Sequence, residues 1–457
     1  MVNFNFDIIS VALDLGSSMF KAAAGYKDEN SNKLVVIATE EEPACGGVKE
    51  GVVDNLQDAS FHISRLLKKL ENRVANIFKQ SNCFPEKHTM SIDKVYVNIS
   101  AGRTQGTMST IERHLGNSEI LQSSIDGMND ENGLRCKAIN NPNFAFYTAL
   151  PSRYLVDGVE VKKPVGMIGE HIVVEYQNIW VKKGLTERVI ECLKKVGVEN
   201  CEFILSAKSI SDIVLSQQEK EDGVVLVNFG DQVTSVSVFK NTEMKYLVEL
   251  PKGSGRITDD IAELQIPRET AKRIKEQSCA VANWEEQENF HETINGAPRE
   301  FERWVIANIV EKRMEALFTS VAKAKEQTVW GKNAGLVVLT GGGSNLRFCA
   351  QKAQEVLGVN VRLGDPNVFK GRKKQERCMA SVFGSLLNNG GHSLRFTEIV
   401  EQKPVEETTA TAEEPKEKKK KKKSGFMERL LRKTETLQRD FVNSLFSEDT
   451  SKESDKF

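Results

Sequence analysis

Polar, glycine-bearing turns interrupt apolar runs at three places in this chain. One contains Asp14, Gly16, Ser17, Ser18 and Lys21, another Gly230, Asp231 and Thr234, and the third Gly341, Gly342 and Gly343. In the first two, a turn separates two β-rich runs, so each reads as a hairpin whose turn offers backbone N–H groups to phosphate oxygens. The third joins an apolar strand to a helical pattern from Leu346 to Leu357. Glycine there lets backbone approach a ligand closely, and a helix N-terminus favours anionic groups. Taken singly, each segment reads as readily as a plain turn or as punctuation between elements. Their order and spacing suit two similar halves closing on one nucleotide.

The elements that must hold these turns read as α/β. A chain of 457 residues is long enough for two or more domains with sizeable cores. The segment from Asp93 alternates Val95, Val97 and Ile99 with polar residues, the pattern of a half-buried strand. No stretch approaches the roughly 20 apolar residues of a membrane span, and the N-terminus lacks a basic region followed by a long apolar run. The expectation is a protein neither secreted nor integral to a membrane. Eight cysteines are scattered without a C-x-x-C pair, which suits small core residues in a reducing compartment. A net charge of −1 argues against wholesale binding of nucleic acid, though it hides a local asymmetry.

That asymmetry is C-terminal. Residues 399–415 are rich in Glu, Thr, Pro and Ala, too poor in large apolar side chains to fold, and read as a linker. Lysines run unbroken from Lys418 to Lys423, including Lys419 and Lys420. Beyond them Phe426, Leu430, Leu437, Phe441 and Leu445 share one helical face, with Ser424 placed to cap it and Glu428 in its first turn. Three placements suit such a helix: folded back on the body, paired with a partner helix, or lying on a bilayer. The lysine block favours the lipid surface, because each basic charge near an anionic leaflet contributes roughly 1 kcal/mol and the apolar face adds burial.

The three turns resemble the phosphate-1, phosphate-2 and adenosine motifs of the actin and heat-shock-chaperone ATPase superfamily, which occur in this order. Gly16, Ser17, Met19 and Lys21 match actin's Gly-Ser-x-Met-x-Lys, and Gly230, Asp231, Val233 and Thr234 its Gly-Asp-x-Val-Thr. The resemblance implies ATP as ligand, with Asp14 and Asp231 holding Mg²⁺ through water and Lys21 meeting the β/γ-phosphates. It also implies contacts from Lys275 and Glu276 to base and ribose, although adjacent Lys and Glu on a helix equally make a solvated face. One branch, the FtsA family of bacterial cell-division proteins, is similar over about Ile9 to Gly390. Its "P-x-x-Y-x-V-D" run leading to "PVGM-x-G" occurs at residues 151–169, and the segment from Gly253 to Ala262 resembles its "G-x-x-I-T-x-D-I-A" run.

What this resemblance implies is an actin-like two-lobed fold with an inserted small β/α domain of SHS2 type and a disordered linker ending in an amphipathic helix. The expected divisions are lobe 1 over 1–91, the insert over 92–168 and lobe 1 again over 169–206. Lobe 2A follows over 207–250, subdomain 2B over 251–299, lobe 2A over 300–362 and the return to lobe 1 over 363–395. A linker over 396–423, the helix over 424–446 and a tail over 447–457 complete the chain. The implied function is a peripheral tether on the cytoplasmic side of the inner membrane at the division site. It would bind membrane phospholipid and the FtsZ C-terminal tail, self-associate into filaments and help recruit later divisome proteins, with no nucleic acid involved. Arg268, Lys272 and Arg299 on 2B are candidates for an acidic tail, and equally a solvated face.

The middle motif departs from the family's Asp-x-Gly-Gly-Gly-Thr-Thr, with Asn228 for the leading Asp and Gln232 for a glycine. Removal of that charge and addition of a side chain beside the phosphates suit ATP that binds with slow or absent hydrolysis, and no catalytic residue is assigned. Other readings are a phosphotransferase of the same superfamily, a chaperone ATPase, or a scaffold of another membrane machine of pilus-assembly type. No separate motif supplies the base a sugar kinase needs.

Overall fold

The computed structural model describes residues 4–100, 107–277, 289–294, 296–368, 377–388 and 390–398. The chain begins with β1 (Ser10–Leu15), β2 (Met19–Asp28) and β3 (Lys33–Pro43), a short hairpin of β4 (Val48–Lys49) and β5 (Val52–Val53), then α1 (Leu56–Gln80), β6 (His88–Ile92) and β7 (Lys94–Ile99). Asn55 caps α1, its side chain accepting from the amides of Gln57 and Asp58. Ala59, Ile63, Leu66, Leu67, Leu70, Val74 and Phe78 recur at helical spacing on its buried face and pack against the sheet.

An insertion follows, consisting of β8 (Thr107–Glu119), α2 (Gln122–Ala138), β9 (Phe144–Val156), β10 (Val159–Val161) and β11 (Ile168–Lys182), with a sheet ordered β10-β9-β11-β8. The chain returns through α3 (Leu185–Lys195) and β12 (Asn200–Leu205), crosses on α4 (Ser206–Val214) and α5 (Gln217–Asp222), and builds β13 (Val224–Phe229), β14 (Thr234–Lys240) and β15 (Glu243–Leu250). Then come α6 (Gly255–Ala262), α7 (Arg268–Gln277), the hairpin β16 (Phe290–Ile294) and β17 (Ala297–Phe301), α8 (Arg303–Lys325), α9 (Val329–Asn333), β18 (Leu336–Thr340), α10 (Cys349–Leu357) and β19 (Asn360–Leu363). Finally α11 (Ala380–Asn388) and β20 (Leu394–Glu398) return to the first half.

The two large sheets repeat one topology. In the order β12-β7-β1-β2-β3, β1 pairs antiparallel with β2 and parallel with β7. In the order β19-β18-β13-β14-β15, β13 pairs antiparallel with β14 and parallel with β18. α4 and α11 pack against each other between the two sheets, so closely that a Cβ on Gly384 would lie 1.8 Å from the Ser209 carbonyl oxygen.

Several expectations shift. β7 is central and buried on both faces, because Tyr96 and Asn98, which read as solvent-facing, donate to the carbonyls of Gly391 and Ser381. The insertion's sheet runs over 107–182 rather than 92–168: β7 belongs to the lobe-1 sheet, and the "PVGM-x-G" segment opens the last strand of the insertion instead of leaving it. The boundary at 396 falls inside β20, which pairs with β6 and packs Phe396 on Phe6 and Phe84 at ring distances of 4.5 and 5.7 Å. Cys83, Cys136, Cys192 and Cys349 are buried as expected, whereas Cys45 is exposed and Cys201 and Cys378 are half-buried. The lysine run and the amphipathic helix lie outside the described residues, among which no helix is long and apolar enough to cross a membrane.

Candidate functional site

The repeated topology brings the two hairpin turns face to face. The β1–β2 turn carries Gly16 to Ser18, and a Cβ on Gly16 would meet the Met19 carbonyl oxygen at 2.8 Å. In the β13–β14 turn a Cβ on Gly230 would meet the Val233 oxygen at 2.6 Å, and the Gly230 amide donates to that oxygen at 3.0 Å. Both turns thus need glycine at the same point for the same backbone reason. Superposing them by register makes Asn228 the counterpart of Asp14, Asp231 that of Ser17 and Gln232 that of Ser18. Alongside, Asp14 stands opposite Asn98 on β7 and Asn228 opposite Thr340 on β18.

Between the turns is a cleft of about 400 Å³. Asp14, Gly16, Ser17, Ser18, Lys21, Gly230, Asp231, Lys275, Glu276, Gly341, Gly342 and Gly343 all line it. Thr234 does not: it is fully buried, and its hydroxyl donates to the Lys252 carbonyl at 2.7 Å. The third segment also differs, since a 3₁₀ turn over Gly342–Asn345 follows the first glycine and the helix starts only at Cys349. Gly341 has φ 85°, and a Cβ there would lie 2.4 Å from Asn228 Oδ1, so the glycine loop sits directly on the β13–β14 hairpin.

Sequence reasoning missed several lining residues, among them Asn98, Ser254, Asn345, Arg377 and Ser381. Ser381 on α11 donates to Asp14 Oδ2 at 2.6 Å and fixes that carboxylate at the end of β1. Lys21 Nζ donates to the Cys378 carbonyl at 2.8 Å. Arg377, nearly buried, donates to Asn345 Oδ1 at 3.0 Å and pairs with Asp365 at 2.9 Å. No local motif marks these residues; the small-residue spacing of Ser381, Gly384 and Ser385 on α11 is the one signal of a closely packed helix.

Charge in the cleft is mixed. Burial holds the Lys275 ammonium below the usual lysine range, against the pull of Asp231 and Glu276. Its Nζ donates to the Ser254 carbonyl at 3.2 Å, so a desolvated cation stands where an anion would offset the desolvation cost. Asp231 adjoins the start of α6: its backbone oxygen accepts from the Gly255 amide at 2.7 Å, and a Cβ on Gly255 would lie 3.1 Å from both carboxylate oxygens. Of the three basic candidates on the α6–α7 subdomain, Lys272 lines the cleft, Arg268 pairs with Asp259 at 3.0 Å, and Arg299 donates to the carbonyls of Leu264 and Gln265. Among the described residues no group of three or more His, Cys, Asp and Glu could cage a metal ion.

Residues 225–384 match the family model described as Cell division protein FtsA. A relative of that name from Pseudomonas aeruginosa is 27% identical over 371 residues, covering 79% of this chain and 84% of the relative. Its namesake from Bacillus subtilis is 26% identical over 373 residues, covering 80% of each chain. Among solved structures, the PilM-PilN type IV pilus biogenesis complex aligns with a TM-score of 0.55 at 16% identity, covering 83% of this chain and 97% of that one, a likeness of fold. With its duplicated sheets and the three turns on one cleft, the chain is similar to the cell-division protein FtsA and has an actin-like fold.

Proposed function

We propose that the cleft binds ATP with Mg²⁺ and that the protein uses this ligand to set its shape while it tethers FtsZ polymers to the inner face of the cytoplasmic membrane. The observation that carries the reading is the convergence of all three predicted segments on one cleft between two lobes of equal topology. The residues fit the ligand. Glycine turns leave backbone bare where phosphate would approach, and Lys21 and Lys275 supply cations. Asp14 and Asp231 suit Mg²⁺, an ion that keeps several waters and takes one or two carboxylates beside phosphate oxygens, so no protein cage is needed. When bound, Mg²⁺ would supply charge neutralisation at those oxygens.

Hydrolysis in this reading is slow or absent, because the position matching Asp14 in lobe 2 is the neutral Asn228, packed against Gly341. Turnover of ATP by the purified protein at ordinary kinase rates would refute that part. Self-association, the FtsZ tail on the α6–α7 subdomain, and a membrane contact through Lys418–Lys423 and the helical face of Phe426, Leu430, Leu437, Phe441 and Leu445 complete the proposal. The FtsA relatives and the sequence of the tail support it. The test has two arms: titration of a fluorescent ATP analogue into wild type and Asp14→Asn, and liposome pelleting with and without residues 418–446, followed by FtsZ recruitment. Membrane binding that survives the truncation defeats the tether; equal nucleotide binding by Asp14→Asn defeats the site.

A further inference from the structure

Opposite the β13–β14 turn, the β4–β5 hairpin reaches the same cleft from lobe 1. Its turn residues Glu50 and Gly51 both have positive φ, 50° and 78°, the backbone that matches strand twist in a two-residue hairpin. The arms are pinned to lobe 1. Val48, Val52 and Val53 are buried, the Val53 carbonyl accepts from Arg188 on α3 at 2.8 Å, and the amides of Asp54 and Asn55 both donate to the Gly47 carbonyl. The hairpin therefore moves with lobe 1.

At its tip the Glu50 amide donates to Gln232 Oε1 at 2.6 Å. Gln232 sits in the β13–β14 turn of lobe 2, its own turn held by the bonds from Ser254 N to Gly230 O and Gly255 N to Asp231 O. Gly51 and Gln232 both line the cleft. The side chain that was expected to crowd the phosphates instead spans the gap between lobes. Its counterpart in the other turn, Ser18, is too short for such a span.

We propose that Gln232 and the Glu50 amide form a clasp across the cleft, which must open for a nucleoside triphosphate to enter or leave, so that Gln232 is a positioning residue that slows exchange. The proposal rests on the cleft being the nucleotide site. A neutral hydrogen bond of this kind shifts an opening equilibrium roughly 2- to 10-fold. Because the clasp guards entry and exit alike, its removal raises both rates by a similar factor and leaves the equilibrium affinity nearly unchanged.

Two measurements on the full chain test this. Stopped-flow binding and release of a fluorescent ATP analogue should show both rates raised roughly 2- to 10-fold in Gln232→Ala. Hydrogen exchange of the ligand-free protein over residues 48–53 should show the Glu50 amide protected in wild type and in Gln232→Glu, which keeps an acceptor oxygen, and unprotected in Gln232→Ala. Unchanged rates, or equal exchange of that amide in wild type and Gln232→Ala, overturn the proposal. If wild type binds no nucleotide, the ATP site and the gating role fall together, and protection at Glu50 still reports whether the clasp itself exists.

Discussion

Replacing Gly384 by alanine sets two effects of opposite sign against each other. In a helix interior the change is normally favourable by about 1 kcal/mol, because alanine loses less backbone freedom on folding. At Gly384, however, the new Cβ would sit 1.8 Å from the Ser209 carbonyl oxygen and 2.3 Å from its carbon. Both obstacles are backbone, so no side-chain rotation relieves them. Moving the carbon just to 3.0 Å from that oxygen requires α11 and α4 to part by about 1.2 Å. That breaks the Ser209–Ser385 hydroxyl contact of 3.0 Å and strains the 2.6 Å bond from Asn388 to Asp212. It also opens a gap among Ile210, Ile213, Phe383 and Leu386. Overpacking of this kind costs typically 1–3 kcal/mol, and each lost hydrogen bond about 0.5–1.5 kcal/mol more. The clash wins, and Gly384→Ala should destabilise by about 0.5–3.5 kcal/mol after the propensity gain is deducted. Gly133→Ala is the matched control, since nothing lies within 4 Å of a Cβ there and Gly133 is inside α2. Thermal unfolding of the two variants should move in opposite directions, Gly384→Ala several degrees down and Gly133→Ala slightly up. A Gly384→Ala midpoint at or above wild type would refute the argument that α4 and α11 meet backbone to backbone.

Gln177→Ala should cost about 2–4 kcal/mol, because this buried amide donates to the Leu247 carbonyl and accepts from the Leu247 amide, each at 2.8 Å, and its loss leaves both groups of an edge strand unpaired. Hydrogen exchange at Leu247 checks it directly. Ser381→Ala should destabilise by about 1.5–3 kcal/mol, the usual worth of a hydrogen bond to a charged group, and weaken ATP-analogue binding measured by titration. Arg362→Met has a pH signature. Burial alone would raise the Glu219 carboxyl, but the bidentate Arg362 guanidinium, at 2.7 Å to each oxygen, and the Ser216 amide outweigh it and hold the carboxyl below its ordinary value of 4.5. A depressed carboxyl stabilises the fold above the unfolded value and loses that contribution as pH falls through the folded one. The stability gap between wild type and Arg362→Met should therefore be full near neutrality and shrink as pH falls below the ordinary carboxyl value of 4.5 toward the lowered folded one, and a gap independent of pH would count against the pair.

How much of this was legible in the sequence depended on whether the cause was local. The three turns were readable because each is a strand followed by glycine at a position whose backbone demands it, and α1 because its buried face repeats at helical spacing. β7 misled for a physical reason. A buried Tyr or Asn satisfied by a distant carbonyl has the same alternating pattern as one facing water, and the partners Gly391 and Ser381 lie 295 and 283 residues away. Ser381, Arg377 and Asn98 were invisible on the same account, since their place in the cleft depends on the chain's late return through α11. The end of β20 reads as linker because its polar residues match the segment that follows, while its aromatic anchor, Phe396, finds its partners far away in sequence at Phe6 and Phe84.

The duplication of the lobes also makes their differences informative. Where lobe 1 places its carboxylate at the strand end, as Asp14, lobe 2 has Asn228 and places its own one turn position later than the glycine, as Asp231. The two acids are therefore tied to different elements: Asp14 through its carboxylate and Ser381 to α11, at the crossing between the lobes, and Asp231 through its backbone oxygen and the Gly255 amide to the start of α6. From α11 the polar contacts continue inward, Ser385 donating to Asn98 at 2.9 Å and meeting Ser209 of α4 at 3.0 Å. A ligand that engages both carboxylates consequently fixes the separation of the helix crossing from the α6–α7 subdomain. Differential affinity for two such separations is the condition for a ligand to shift a conformational equilibrium. In the proposed function, that condition links occupancy of the cleft to the subdomain that would receive the FtsZ tail without any need for hydrolysis.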